Sequence, residues 1–120
     1  MKITVNGGMG TFEVEGNGHA EIWEQLASLA EAFGEKKCGK CDSQDIRHVV
    51  RENDSGDKFY ELHCQSPRCH ARLRMSVTKK DKQFFPKRKA GKDDASGLEE
   101  GKYLPNNGWM KFDKASNKEV

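Results

Sequence analysis

The sequence predicts a small α+β fold, and three observations predict it. Residues 2–15 alternate apolar and polar side chains, residues 20–33 place apolar side chains at helical intervals, and four cysteines fall in two pairs, Cys38-x2-Cys41 and Cys64-x4-Cys69. The first two describe a ββα unit, whose apolar stripe is expected to pack on the cysteine-bearing module. The third describes a staple, and the chain needs one. Of its 120 residues only 34% are apolar while 33% are charged, too little apolar surface for a core of this size to hold unaided.

In chain order, Lys2-Ile3-Thr4-Val5 and Thr11-Phe12-Glu13-Val14-Glu15 flank the glycine-rich stretch Asn6 to Gly10 and read as a β-hairpin with one apolar face. Ile22, Leu26, Leu29 and Phe33, with Trp23 and Ala30 beside them, form the apolar stripe of a helix that Gly34 ends. Periodicity assigns Phe12, Trp23 and Phe33 to the core. Beyond Cys41, residues 46–51, 58–64 and 71–77 read as three antiparallel strands, with Asn53-Asp54-Ser55-Gly56-Asp57 turning the chain between the first two. Ala71, Leu73, Met75 and Val77 share one face of the third strand, which puts Arg72 and Arg74 on solvent. Residues 79–92 form a basic arm or edge strand. Residues 91–102 read as a flexible loop, and Tyr103 to Phe112 as an aromatic return to the folded body followed by a fraying tail. Three segments result: an acidic ββα unit at 1–35, a cysteine-bearing sheet with a basic arm at 36–92, and the loop with an irregular C-terminal arm at 93–120.

A two-residue gap between Cys38 and Cys41 suits a metal-gripping loop, and the stretch before Cys64 accommodates a β-hairpin, the layout of a zinc ribbon. Four thiolates would close the coordination sphere of one structural Zn2+ and leave no position for water or substrate. His63 and His70 flank the second pair, so either could replace a cysteine. Disulfides are the lesser reading, because no apolar leader precedes the cysteines and a reducing cytoplasm is the expected location. No run approaches a membrane span. Phosphate-loop, nucleophile-elbow and zinc-protease motifs are all missing from the sequence, so the chain is read as no enzyme.

The net charge of +2 hides a division along the chain. Residues 1–35 hold one Lys and six Glu, residues 36–92 hold sixteen Lys or Arg against seven acids, and residues 93–120 hold four against six. The basic middle points to a polyanion. Arg47, Arg51, Arg72 and Arg74 fall on one predicted sheet, Lys79, Lys80, Lys87, Arg88 and Lys89 crowd the arm, and Phe59, Phe84, Phe85 and Trp109 lie among them. Cationic groups beside aromatic faces suit single-stranded nucleic acid, phosphates taking the charge and bases the stacking. The same aromatics can equally be core. The alternative function is a protein-interaction module that uses the acidic ββα unit, with Glu13, Glu15, Glu24 and Glu31 outward, and self-association through the helix or short edge strands is compatible with both.

Glu35-Lys36-Lys37-Cys38-Gly39-Lys40-Cys41, Lys58-Phe59-Tyr60-Glu61-Leu62-His63-Cys64, Phe84-Phe85-Pro86-Lys87-Arg88-Lys89 and Asn107-Gly108-Trp109 together resemble short zinc-ribbon proteins encoded by bacteriophages and prophages, over most of residues 24–112. The resemblance implies zinc, a bacterial host cytoplasm, and either a role in phage DNA replication or recombination or a grip on a host replication, transcription or defence protein. The wide Cys64 to Cys69 gap departs from the tighter second loop of that pattern.

Overall fold

Strands β1 (Lys2–Gly7) and β2 (Gly10–Glu15) pair antiparallel with Ile3 opposite Val14 and Val5 opposite Phe12, so the alternation of the sequence becomes one apolar face. The structure is a computed structural model and describes residues 1–7, 10–80 and 82–120; Gly8 and Met9 of the glycine-rich turn lie outside the described residues. Helix α1 (His19–Phe33) follows. Its entry has no capping side chain, and Glu21 compensates by accepting a 2.9 Å hydrogen bond from the Asn17 amide. Gln25 donates a 2.6 Å bond back to the Glu15 carbonyl, tying the helix to the end of β2. Val14 and Ile22 are buried, and the Phe12 and Phe33 rings lie 5.6 Å apart.

Trp23 corrects the core expected from periodicity: it is 76% exposed. Successive helix residues turn by about 100°. The two-stranded hairpin offers a face too narrow for the whole stripe; Ile22, Leu26, Leu29 and Phe33 take it, and Trp23 falls outside. Phe33 is itself 37% exposed and Phe12 only half-buried. The chain divides into two units, one of Met1–Lys36 with Val77–Phe85 and one of Lys37–Ser76 with Pro86–Val120.

The larger sheet runs β3 (Ile46–Glu52), β4 (Lys58–Cys64), β5 (Arg72–Val77) and β6 (Phe84–Pro86), all within a residue of the predicted strands where strands were predicted. The β3–β4 turn is built as its composition suggests, with Asn53 Oδ1 accepting from the amides of Ser55 and Asp57 at 3.0 and 2.9 Å. Strand β7 (Trp109–Met110) pairs with the start of β5, Leu73 opposite Trp109. The turn before it has Asn106 and Asn107 both in the left-handed region, then Gly108 at φ 94°. A Cβ on Gly108 would sit 2.3 Å from the Lys87 carbonyl oxygen, so glycine is required there on both counts.

Leu62, Ala71, Leu73 and Trp109 bury themselves with Cys38, Cys64 and Cys69 in one cluster. Ala90, Leu104 and Met110 form a smaller one. The expected frayed tail is instead a hairpin of β8 (Phe112–Asp113) and β9 (Lys118–Glu119), in which Lys111 and Val120 exchange two 2.9 Å backbone bonds. Residues 91–102 are tied by Asp94, which accepts from the amides of Gly91 and Ser96 and pairs with Lys87 at 2.6 Å. Its carboxyl is pushed up by burial, but these contacts outweigh that and hold it well below the ordinary range. Among the described residues no helix is long and apolar enough to cross a membrane.

Candidate metal centre and basic surfaces

Two loops bring the cysteines together. In the first, the Cys38 amide donates to Ser43 O at 2.8 Å, Asp42 N–H returns to Cys38 O at 2.9 Å, and Lys40 N–H reaches Cys38 Sγ at 3.3 Å. In the second, Ser66 O accepts from both Cys69 and His70, at 3.1 and 3.3 Å, and that single turn folds the wide Cys64 to Cys69 gap back on itself. Gln65 N–H to Asp45 O, 2.8 Å, ties the second loop to the chain leaving the first. The residue after the second cysteine is left-handed in both loops, Asp42 at φ 64° and His70 at φ 54°. The unequal spacings therefore converge on a similar exit.

Sγ of Cys38 lies 3.8 Å from that of Cys69, Sγ of Cys41 lies 3.6 Å from that of Cys64, and all four fall within 4.8 Å of one another. A tetrahedral ion with sulfur ligands at about 2.3 Å needs edges of about 3.8 Å. A disulfide needs about 2.05 Å, and all four cysteines are free. The set fits one tetrahedral metal and no cross-link. Three of the four are buried, with Cys41 at the surface. Burial pushes the Cys38 thiol up to about 12 and raises that of Cys64, while the Ser43 amide lowers that of Cys41. An incoming metal must displace those protons, so affinity falls on acidification.

Neither flanking histidine joins the sulfurs. His63 Nε2 sits 2.7 Å from Glu61 Oε1, and His70 is exposed. His70 matters through its backbone. His70→Gly should leave metal stoichiometry unchanged, whereas His70→Val should cost about 1–2 kcal/mol of stability by forcing a β-branched residue into the left-handed region; metal titration and urea melts of the two variants check this.

Trp109, grouped by sequence with the base-stacking aromatics, is corrected here: it is 0% exposed, packed in the cluster that holds three of the cysteines. It has no face to offer a base. Gly39 lies against it: a Cβ there would sit 2.7 Å from Trp109 Cδ1 and 2.4 Å from Asn106 O. The first metal loop therefore rests directly on the indole. Gly39→Ala should cost about 1–3 kcal/mol in urea unfolding, since neither the carbonyl nor the buried ring has room to retreat.

The sequence puts the four arginines on one sheet; the register places Arg47, Arg51, Arg72 and Arg74 on one face of it together with Phe59, and also puts Glu61 and His63 among them. Arg51 forks onto Glu61 with two 2.8 Å bonds, and Arg74 Nε and Arg72 Nη1 lie 3.7 and 4.0 Å from the same carboxylate. Arg74 also forks onto Glu119, brought across by the β8–β9 hairpin, with Arg72 4.0 Å from it. Arg72 and Arg74 are therefore not free solvent arginines; their side chains are about 30% exposed and engaged by two buried carboxylates. Sequence reasoning missed Glu61, although a lone acid alternating between Phe59 and His63 on an arginine-rich face was its signal.

Other basic residues separate similarly. Lys87 is held by Asp94, and Arg88, half-buried, donates to the Asn107 carbonyl. Arg47, Lys79, Lys80, Lys82 and Lys89 are exposed. Phe84 is half-buried, while Phe85 is 40% and Phe59 39% exposed. Arg51 lies over the Phe59 ring at 5.3 Å and Lys89 over Tyr103 at 4.9 Å. Tyr103, 73% exposed, was not singled out in the sequence.

Comparison with protein-family models, curated proteins and solved structures gives no match to the chain, so the phage zinc-ribbon resemblance rests on its motif residues alone.

Proposed function

We propose that the chain is a non-enzymatic zinc module that binds single-stranded nucleic acid. Zinc holds Cys38, Cys41, Cys64 and Cys69 and fixes the sheet; it takes no part in chemistry, since four sulfurs complete its sphere. The reading rests on one observation above the others. Lys79, Lys80 and Lys82, on the turn between β5 and β6, are exposed and in no ion pair among the described residues, with Phe85 exposed on the following strand. Free cations beside an open ring supply the two contacts that unpaired bases and phosphates need. On the other unit Lys89 lies 4.9 Å over the exposed Tyr103 ring, so a cation and an aromatic stand together there too, already engaged with each other. The self-neutralised face of Arg51, Arg72 and Arg74 contributes less than the sequence suggested. The setting implied by the resemblance is phage DNA replication or recombination.

Fluorescence anisotropy of the zinc-loaded protein with labelled single- and double-stranded oligonucleotides tests this. Single strands should be preferred, with affinity falling linearly in log salt. Reversing Lys79, Lys80 and Lys82 to Glu should lower the slope by about 2, at about 0.7 for each phosphate that is no longer neutralised, with zinc content unchanged. Binding that ignores salt, or survives the triple reversal unaltered, rules the reading out.

A further inference from the structure

Three of the four sulfurs are sealed inside the second unit and one is not. Cys38, Cys64 and Cys69 are buried in the cluster with Leu62, Leu73 and Trp109, whereas Cys41 lies at the surface. The close sulfur contacts run between the two loops: Cys41 Sγ lies 3.6 Å from Cys64 Sγ, and Cys38 Sγ lies 3.8 Å from Cys69 Sγ. Each loop gives one sulfur to each contact, so the exposed sulfur has a buried one directly beside it. Residues 39–42 are exposed throughout, while Cys64 ends β4 and is held there by its amide bond to Ala71 O at 2.8 Å. A disulfide needs its sulfurs at about 2.05 Å, so a shift of about 1.5 Å by the exposed loop would close the Cys41–Cys64 contact.

Exposure decides which sulfur is attacked. A metal-bound thiol is deprotonated outright, so in the zinc-loaded centre proposed above all four sulfurs are thiolates and ionisation does not tell them apart; oxidation then follows access. We infer that Cys41 is the site at which a hydroperoxide oxidises this centre, Cys64 completing a disulfide with it and the metal being released. The inference rests on the zinc reading and not on nucleic-acid binding. The Cys41 thiolate attacks an oxygen of hydrogen peroxide: an S–O bond forms, the O–O bond breaks, and the departing hydroxide takes a proton and becomes water. The Cys64 thiolate then attacks the Cys41 sulfur: an S–S bond forms, the S–O bond breaks, and a second hydroxide leaves as water. Two electrons pass from the two sulfurs to one peroxide, and the metal keeps its oxidation state. Cys38 and Cys69 remain, two ligands where four had closed the sphere.

The test treats the zinc-loaded full chain with substoichiometric hydrogen peroxide. A metallochromic dye reports released zinc, and peptide mass mapping after alkylation of the remaining thiols reports the first disulfide. One zinc should appear for each peroxide consumed, with Cys41 linked to Cys64 and with Cys38 and Cys69 alkylated. Cys41→His keeps four ligands, with an imidazole at the exposed position, and should slow release about tenfold or more. In Cys64→His the exposed thiolate remains while its resolving partner is gone, so a dimedone-reactive sulfenic acid should accumulate at Cys41. The wild-type disulfide map decides the matter if either variant fails to hold zinc. A first disulfide joining Cys38 to Cys69 or Cys38 to Cys41, zinc that stays bound in excess peroxide, or release from Cys41→His at the wild-type rate overturns the inference and leaves the zinc reading standing. A chain that takes up no zinc overturns both.

Discussion

Cys38→Ser is expected to release the metal and unfold the second unit together. Cys38 is wholly buried, its Sγ receives the Lys40 amide and lies 3.8 Å from that of Cys69, and its neighbours in the core are Leu62, Leu73 and Trp109. The candidate ligands are therefore not appended to a finished core; Cys38, Cys64 and Cys69 make up nearly half of it. A thiolate set of this kind contributes ~10–16 kcal/mol to folding, against a total of ~5–15 kcal/mol for an ordinary domain, so a site reduced to three sulfurs leaves little to hold β4, β5 and β7 together. The wild-type protein should bind one Zn2+ per chain by elemental analysis and lose its near-ultraviolet dichroism, which Trp109 dominates as the buried indole, when a chelator is added. Cys38→Ser should lack that signal from the start. Cobalt substitution gives the coordination directly, through the intense visible bands of a tetrahedral sulfur site, and visible absorption by the protein as purified would instead assign iron. A Cys38→Ser protein that keeps its Trp109 signal in chelator would show that the apolar cluster folds alone.

The parts of the fold that could be read in the sequence are those fixed by near neighbours. Period-two alternation placed β3, β4 and β5, and the Asn53 to Asp57 composition placed the turn between the first two, because each depends on residues within one hairpin. The cysteine pairs were equally readable, since ligand spacing is local and only the closing of the two loops is not. Trp109, Trp23 and the arginines were less so. Whether an aromatic is core depends on what covers it: Trp109 is covered because β7 returns to β5 from beyond a long loop, and Trp23 is bare because the hairpin facing α1 is only two strands wide. The arginines' partners were hidden for different reasons. Glu61 lies opposite Arg74 across a strand pair, so register had to be known, while Glu119 reaches Arg74 from 45 residues away.

Glu61→Gln should destabilise the fold by about 3 kcal/mol at neutral pH. The Glu61 side chain is 1% exposed, and one carboxylate serves Arg51, Arg72, Arg74 and His63. Burial alone would raise its pKa; hydrogen bonds from Arg51 and His63 and the charges of Arg51 and Arg72 more than offset this and bring it from an ordinary 4.5 to about 2. A carboxyl whose folded value is depressed contributes stability above its unfolded pKa and loses it as pH falls through the folded one. Here the contribution is full above about pH 5 and gone near pH 2, and the shift corresponds to about 3 kcal/mol. Removing one partner of a buried ion pair costs ~3–5 kcal/mol, and the lower end applies because Arg51 is 42% exposed and can turn to water, while Arg72 and Arg74 keep Glu119. Urea unfolding of wild type and Glu61→Gln should therefore differ by a constant amount between pH 8 and 5 and converge below. Protonation of the thiolates adds its own acid loss to both proteins alike, so the difference isolates the carboxylate. Glu119→Gln should cost less, about 1 kcal/mol, because it pairs with arginines that retain Glu61. If the two variants are equally destabilised, the tail hairpin rather than the centre of the sheet holds this face together.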